Sequence, residues 1–312
     1  MKRRPLRAVR RRLRRAGTRV RSVLLRRVFL PWREDRAAVL RYAAVLDGQT
    51  VNLHAGMPRW VRPDENARIE LRRRGSRHTA DARVYTDHDG TVVMDAAVLL
   101  GQEVGGLALR SGRWKLRLRV KKGFRRRALS LLLLDMPKPY GGPTRPMDAS
   151  TVTGARYRLG RTVTGSARVT FTPSPPSAEV VRVRTSHSGV EIVFRVVGSE
   201  PEAPRAEFVA SGRRLEAEVG ALEDGLWQVS APLHLMVPRR DRPEQWDVVL
   251  CSDNLRAMRL GRRLHDVRNP KRVFAMRETA VTPAGRDPML VLPRYTPAGN
   301  FRIQCSPMAQ AA

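Results

Sequence analysis

Trp114-Lys115-Leu116-Arg117-Leu118-Arg119-Val120-Lys121 alternates apolar and basic residues without a break. Successive side chains of an extended chain point to opposite faces, so Trp114, Leu116, Leu118 and Val120 share one side. Lys115, Arg117, Arg119 and Lys121 share the other. A period of two belongs to a strand with one face in a core. The opposite face is then a ladder of four cations. Working outward, similar alternation recurs after Asp35, cut by Gly, Pro and Asp-Gly turns at intervals suited to short strands. Asp89-Gly90 reads as a hairpin turn between strands at 82–85 and 91–98.

These signals predict an all-β chain of two antiparallel β-sandwich (Ig-like) domains preceded by a basic amphipathic N-terminal helix. A repeat supports two domains: Ser111-Gly112-Arg113-Trp114 and Asp224-Gly225-Leu226-Trp227 each open an alternating run. Extended stretches precede both, Asp95-Ala96-Ala97-Val98-Leu99 and Leu215-Glu216-Ala217-Glu218-Val219, and apolar strands follow at 129–134 and 246–251. Both tryptophans are expected to anchor cores. The boundaries that follow are a helical arm at 1–34, a first domain at 38–135, a Gly/Pro-rich connector at 136–165 and a second domain at 166–308.

The arm carries 14 Arg or Lys in its first 33 residues, and the first acid is Glu34. Leu6, Val9, Leu13, Ala16, Val20 and Val23, with Leu24 beside the last, recur every three or four residues and form one helical stripe. Arg10, Arg11, Arg12, Arg14, Arg15, Arg19 and Arg21 flank it. An apolar stripe with guanidinium flanks suits a membrane surface bearing anionic headgroups. It could instead pack on a protein body or lie along nucleic acid, whose phosphates would release counterions.

The formal net charge is +31, from 60 basic residues against 29 acidic ones, and it predicts polyanionic partners. No acid occurs between Glu103 and Asp135, while Arg113, Lys115, Arg117, Arg119, Lys121, Lys122, Arg125, Arg126 and Arg127 accumulate. Guanidinium groups bind phosphate bidentately and stay charged. These nine are the candidate polyanion-binding residues. Aromatics make up only 5% of the chain, which argues against base stacking on nucleic acid, though not against binding its phosphates.

Catalytic and metal signatures are sparse. There is no phosphate-binding glycine loop, His-Glu-x-x-His or Gly-x-Ser-x-Gly. Asp87-His88-Asp89 matches a cation-binding Asp-x-Asp pattern, but Asp89-Gly90 is already explained by turn chemistry. No cofactor is expected. No apolar run reaches the roughly 20 residues that span a bilayer. Arg26-Arg27 lacks the apolar stretch of an export signal, so the expected location is cytoplasmic, peripheral at the inner membrane surface. Cys251 and Cys305 are expected to be buried thiols.

Gly-x-Trp followed by alternating aliphatic and Arg residues resembles accessory β-sandwich modules of actinobacterial cell-wall polymer transferases. These are teichoic-acid-type glycosyltransferases and CDP-glycerol glycerophosphotransferases. Leu292-Pro293-Arg294-Tyr295-Thr296-Pro297-Ala298-Gly299-Asn300-Phe301 is similar to the Tyr-Thr-x-x-Gly-Asn-Leu ending of such modules, with Phe301 in place of Leu. The resemblance implies a non-catalytic protein that binds or organises an anionic envelope polymer or its transferase. Glycosyl or glycerophosphoryl transfer by the chain itself, and binding of a nucleic-acid backbone, are the alternatives.

Overall fold

The computed structural model describes residues 35–63, 65–122, 125–135, 144–239, 242–267 and 269–308. The arm at 1–34, with its expected helix, lies outside the described residues. The chain divides into two compact units. Pro146–Ser150 and Ala155–Thr172 go with the first, whereas Thr151–Gly154 and the chain from Pro173 go with the second.

The first unit is built from β1 (Ala37–Val45), β2 (Thr50–Gly56), β3 (Ala67–Arg73), β4 (Ser76–Thr86), β5 (Val92–Leu99), β6 (Gly112–Lys122), β7 (Arg125–Leu132), β8 (Arg156–Arg161) and β9 (Ala167–Thr172). Their order is β3-β4-β5-β2-β1-β7-β6-β9-β8, and β3 also pairs with β6. Seven strands therefore close into a ring, and the β8–β9 hairpin extends it from β6. Trp114, Leu116, Leu118 and Val120 are at most 1% exposed, so the alternation of β6 does aim one face into the core. The Asp89-Gly90 turn joins β4 to β5 as expected, with Gly90 at φ 79.

The second unit contains β10 (Ser177–Thr185), β11 (Val190–Val197), β12 (Arg205–Ala210), β13 (Arg213–Ala221), β14 (Leu226–Ser230), β15 (Glu244–Cys251), β16 (Met258–Arg262), β17 (Thr279–Val281), β18 (Met289–Tyr295) and β19 (Phe301–Pro307). Their order is β12-β13-β14-β11-β10-β16-β15-β19-β18-β17, closed by β12–β15. This is the connectivity of the first unit with one short strand added.

The correspondence holds residue by residue. β1 and β10 each carry a bulge, between Leu40 and Tyr42 and between Val180 and Arg182. Each pairs in parallel with the last ring strand, Ala38 with Leu131 and Ala178 with Leu260. Those two pairings depart from the all-antiparallel expectation. The hairpin turns match too. Thr162 N–H donates to the Ser166 carbonyl and Thr296 N–H to that of Asn300, while Thr162 Oγ1 and Thr296 Oγ1 accept from the same two residues' N–H groups. Gly165 and Gly299 take the left-handed positions, at φ 82 and 88.

Two further sequence expectations change. Trp114 pairs with Val169 of β9 and Trp246 with Ile303 of β19, so the partner of Trp114 in the repeat is Trp246. Both are fully buried, whereas Trp227 is half-buried on β14 and corresponds to nothing on β6. A Gly-x-Trp motif cannot distinguish which strand follows it. Second, the stretch read as connector contains β8, and β9 lies in the stretch assigned to the second domain. Both add to the first sheet. Cys251 and Cys305 are free and buried, as expected, and burial pushes the Cys305 thiol up to about 12.

Candidate polyanion-binding face

β6 is flanked by β3 on one side. On the other side, β9 and then β7 lie end to end. Because the core-facing residues of these strands are fixed by burial, their alternates share the outer face. The face therefore gathers Lys115, Arg117, Arg119 and Lys121 of β6, Arg68 and Arg72 of β3, Arg77 of β4, Arg126 of β7 and Arg168 of β9.

Many of these cations stand directly opposite one another. Lys115 faces Arg72 and Arg168, Arg119 faces Arg68, Lys121 faces Arg126, and Arg72 faces Arg77. Like charges directly across strands destabilise a sheet. One carboxylate offsets the charge from within. Glu70 is fully buried, and its Oε2 accepts Arg77 Nε at 2.9 Å together with Arg119 Nε. Glu70 Oε1 has no hydrogen-bond partner among the described residues, and Arg168 Nε is likewise buried and unpartnered. Asp81 meets Arg68 at 3.2 Å, with both side chains mostly exposed. Lys115, Arg117, Lys121 and Arg126 make no ion pair with any described residue.

Above Glu70 the face dips into a depression of about 470 Å³ lined by Asn66, Arg68, Arg77, Thr79, Arg119, Val120, Lys121 and Arg126. Five basic side chains line it and no carboxylate does. The Glu70 carboxylate holds Arg77 and Arg119 together, so two guanidinium groups are positioned before any ligand arrives.

Of the residues expected from sequence, Lys115, Arg117, Arg119, Lys121 and Arg126 share this face. Arg113 lies on it at the opposite end of β6, facing Thr170. Arg127 does not share it: it pairs with core residue Val120, and its guanidinium stacks on the Trp60 ring at 4.8 Å. Lys122 and Arg125 face each other across the β6–β7 hairpin, and their side chains lie outside the described residues. Sequence reasoning missed Arg68, Arg72, Arg77 and Arg168. The alternation of Arg68-Ile69-Glu70-Leu71-Arg72 carried the signal for the first two, but their approach to β6 depends on a long-range pairing. Arg10, Arg11, Arg12, Leu13, Arg14, Arg15, Arg19, Val20, Arg21, Val23 and Leu24 lie outside the described residues.

The second unit serves as an internal control. The matched register puts Asp247 where the first unit has Lys115, Val249 in place of Arg117 and Cys251 in place of Arg119. Arg302 matches Arg168, so the Lys115–Arg168 clash becomes an ion pair: Arg302 Nε and Nη2 both bind Asp247, the latter at 3.2 Å. Arg259 Nη2 adds a contact to Asp247 at 3.4 Å. By contrast, the buried glutamate is retained. Glu207 matches Glu70 and binds Arg214, the match of Arg77, at 3.0 Å. The fold requires the buried acid and its arginine, but not the cation ladder.

Among the described residues no group of three or more His, Cys, Asp or Glu side chains could hold a metal ion. No described helix is long and apolar enough to cross a membrane. Asp87-His88-Asp89 forms the β4–β5 turn, where Asp87 Oδ1 meets His88 Nδ1 at 2.6 Å and Asp89 Oδ1 accepts from Thr91.

No family model and no curated protein matches the chain. Among solved structures, it is similar to S. aureus TarS at 9% identity and a TM-score of 0.34, covering 62% of this chain and 35% of that one. A structure of TarS residues 217–571 gives the same identity and score, over 72% of this chain and 62% of that one. A pullulanase from Anoxybacillus sp. LM18-11 is similar at 7% identity and a TM-score of 0.18, over 71% and 25%. The chain thus spans less than two thirds of each of these relatives.

Proposed function

We propose that the first unit's outer face binds an anionic, phosphate-containing polymer of the cell envelope, and that the chain organises this polymer or its transferase without catalysis of its own. One observation carries the reading. Like-charged residues oppose each other on the first unit at a position where the second unit, with the same fold, has the Asp247–Arg302 ion pair. A sheet that keeps a cost of a few tenths of a kcal/mol or more per like-charged pair retains it for a partner that relieves it. Phosphate fits best, because paired guanidinium groups match its oxygens and the depression lined by Arg77 and Arg119 is free of carboxylates. In this reading each closed sheet is a flattened, Ig-like sandwich, as in the transferase-associated modules that the closing segment resembles. The arm at 1–34 adds a basic, amphipathic contact with an anionic inner-membrane surface.

Titration of the full chain with long-chain polyphosphate at several salt concentrations tests the reading. Binding whose logarithm falls linearly with the logarithm of salt is expected. A preference for single-stranded nucleic acid over polyphosphate at equal charge would replace the envelope polymer with a nucleic-acid backbone.

A further inference from the structure

A second depression, of about 560 Å³, lies on the same unit, and Tyr42, Asn52, His54, Asp81, Arg83 and Asp95 contribute its polar lining. Its residues run in register across four strands: Tyr42 of β1 faces His54 of β2, which faces Asp95 of β5, which faces Arg83 of β4. The centre is tightly organised. Asp95 Oδ1 meets His54 Nδ1 at 2.6 Å, and Asp95 Oδ2 accepts the Tyr85 hydroxyl at 2.6 Å. Burial works to raise the Asp95 carboxyl, but the hydrogen bonds from Tyr85 and His54 outweigh it and hold the group below the usual carboxylate range. In the neutral tautomer whose Nδ1–H points to Asp95, Nε2 of His54 is an acceptor. Tyr42 is 44% exposed, an aromatic ring open to solvent at the rim.

The fold does not need this network either. In the second unit the matched positions of His54, Asp95 and Arg83 hold Val193, Gln228 and Gly220, and Arg182 replaces Tyr42. Nor is the depression isolated. Arg68, which lines the cationic groove, is ion-paired to Asp81, which lines this one, and β4 runs through both.

We propose that this depression is a subsite for a sugar ring, continuous with the cationic groove, so that the face takes a phosphodiester polymer whose units carry hydroxylated rings. A carboxylate, an imidazole acceptor, an amide and a guanidinium supply both acceptors and donors for vicinal hydroxyls, and the exposed tyrosine supplies an apolar face for a ring. The inference rests on the proposed function for the phosphate half of the ligand.

The test compares two polymers on the full chain and on its Tyr42→Ala and Asn52→Ala variants. Polyphosphate offers phosphates without hydroxyls, and a phosphodiester-linked hexose polymer (phosphomannan) offers both. The expected result is that phosphomannan binds more tightly than polyphosphate at equal charge. Both substitutions should lower its affinity about tenfold and leave polyphosphate unchanged. Tyr42 and Asn52 lie outside the His54–Asp95–Tyr85 network, and unchanged polyphosphate binding also reports that the variants fold. Wild-type chain that binds polyphosphate but shows no preference for phosphomannan, or variants with unchanged affinity, would overturn the subsite and leave the groove standing. Failure to bind either polymer would overturn both.

Discussion

At the residue scale, Glu70 is the pivot of the first unit. It is a buried carboxylate, and its two arginines are the groups that the proposed ligand needs. Hydrogen bonds to a charged group contribute about 1.5–3 kcal/mol, and the two arginines left without Glu70 remain partly open to water. Glu70→Gln is therefore expected to destabilise the chain by about 1–3 kcal/mol in urea unfolding and to weaken polyphosphate binding, because Arg77 and Arg119 lose their common anchor. Cys305 gives a pH prediction. Its folded thiol titrates at about 12 because it is buried, whereas an unfolded thiol titrates at about 8.5. Above pH 8.5 the unfolded state loses a proton that the folded state keeps, so this contribution is intact below pH 8.5 and is lost as pH rises toward 12. Native protein should leave Cys305 unlabelled by iodoacetamide at pH 8, and urea-unfolded protein should label it.

At the element scale, the matched strands β6 and β15 show what sequence can and cannot reveal. The alternation of β6 made its core face and cation face legible at once. Its neighbours were not legible, because the pairings with β3 and β9 join residues dozens of positions apart and leave no local trace. The repeat was visible but misregistered. A shared glycine turn points from Trp114 to Trp227, whereas the true register is carried by Thr162-Val163-Thr164-Gly165-Ser166 and Thr296-Pro297-Ala298-Gly299-Asn300, which make the same turn. The second depression was not legible at all, since its side chains come from four strands. The corrected register has a measurable consequence. Trp114 Nε1 donates to the Arg110 carbonyl at 2.9 Å, whereas buried Trp246 Nε1 has no partner among the described residues. An orphaned buried donor costs on the order of 1–3 kcal/mol, and replacing it with an apolar group removes that cost. Trp246→Phe should therefore destabilise less than Trp114→Phe in chemical denaturation. Lys115→Asp tests the same alignment from the surface. By recreating opposite Arg168 the pair that Asp247 makes with Arg302, it should stabilise the chain by up to about 1 kcal/mol while weakening polyphosphate binding.

At the scale of the whole molecule, one fold appears twice with two different surfaces. Shared features (the closed ring of seven strands, the bulge, the parallel closure and the buried Glu–Arg pair) are what the architecture needs. Features confined to the first unit, the cation face and the His54–Asp95–Tyr85 network, are free to serve binding. Excess positive charge over the chain, +31, cannot by itself say where a polyanion sits, because the arm and both units contribute to it. The comparison between units favours one face, as proposed above. The most direct measurement is polyphosphate affinity of the full chain against a Lys115→Gln/Lys121→Gln/Arg126→Gln variant, across a salt series. These three residues are exposed and without acidic partners among the described residues, so the substitutions should leave folding intact. The account predicts a drop in affinity of tenfold or more at low salt and a shallower salt slope, as about three fewer phosphates are neutralised. Equal affinity and equal slope, with the arm and the second unit unchanged, would place the polyanion elsewhere and contradict the account.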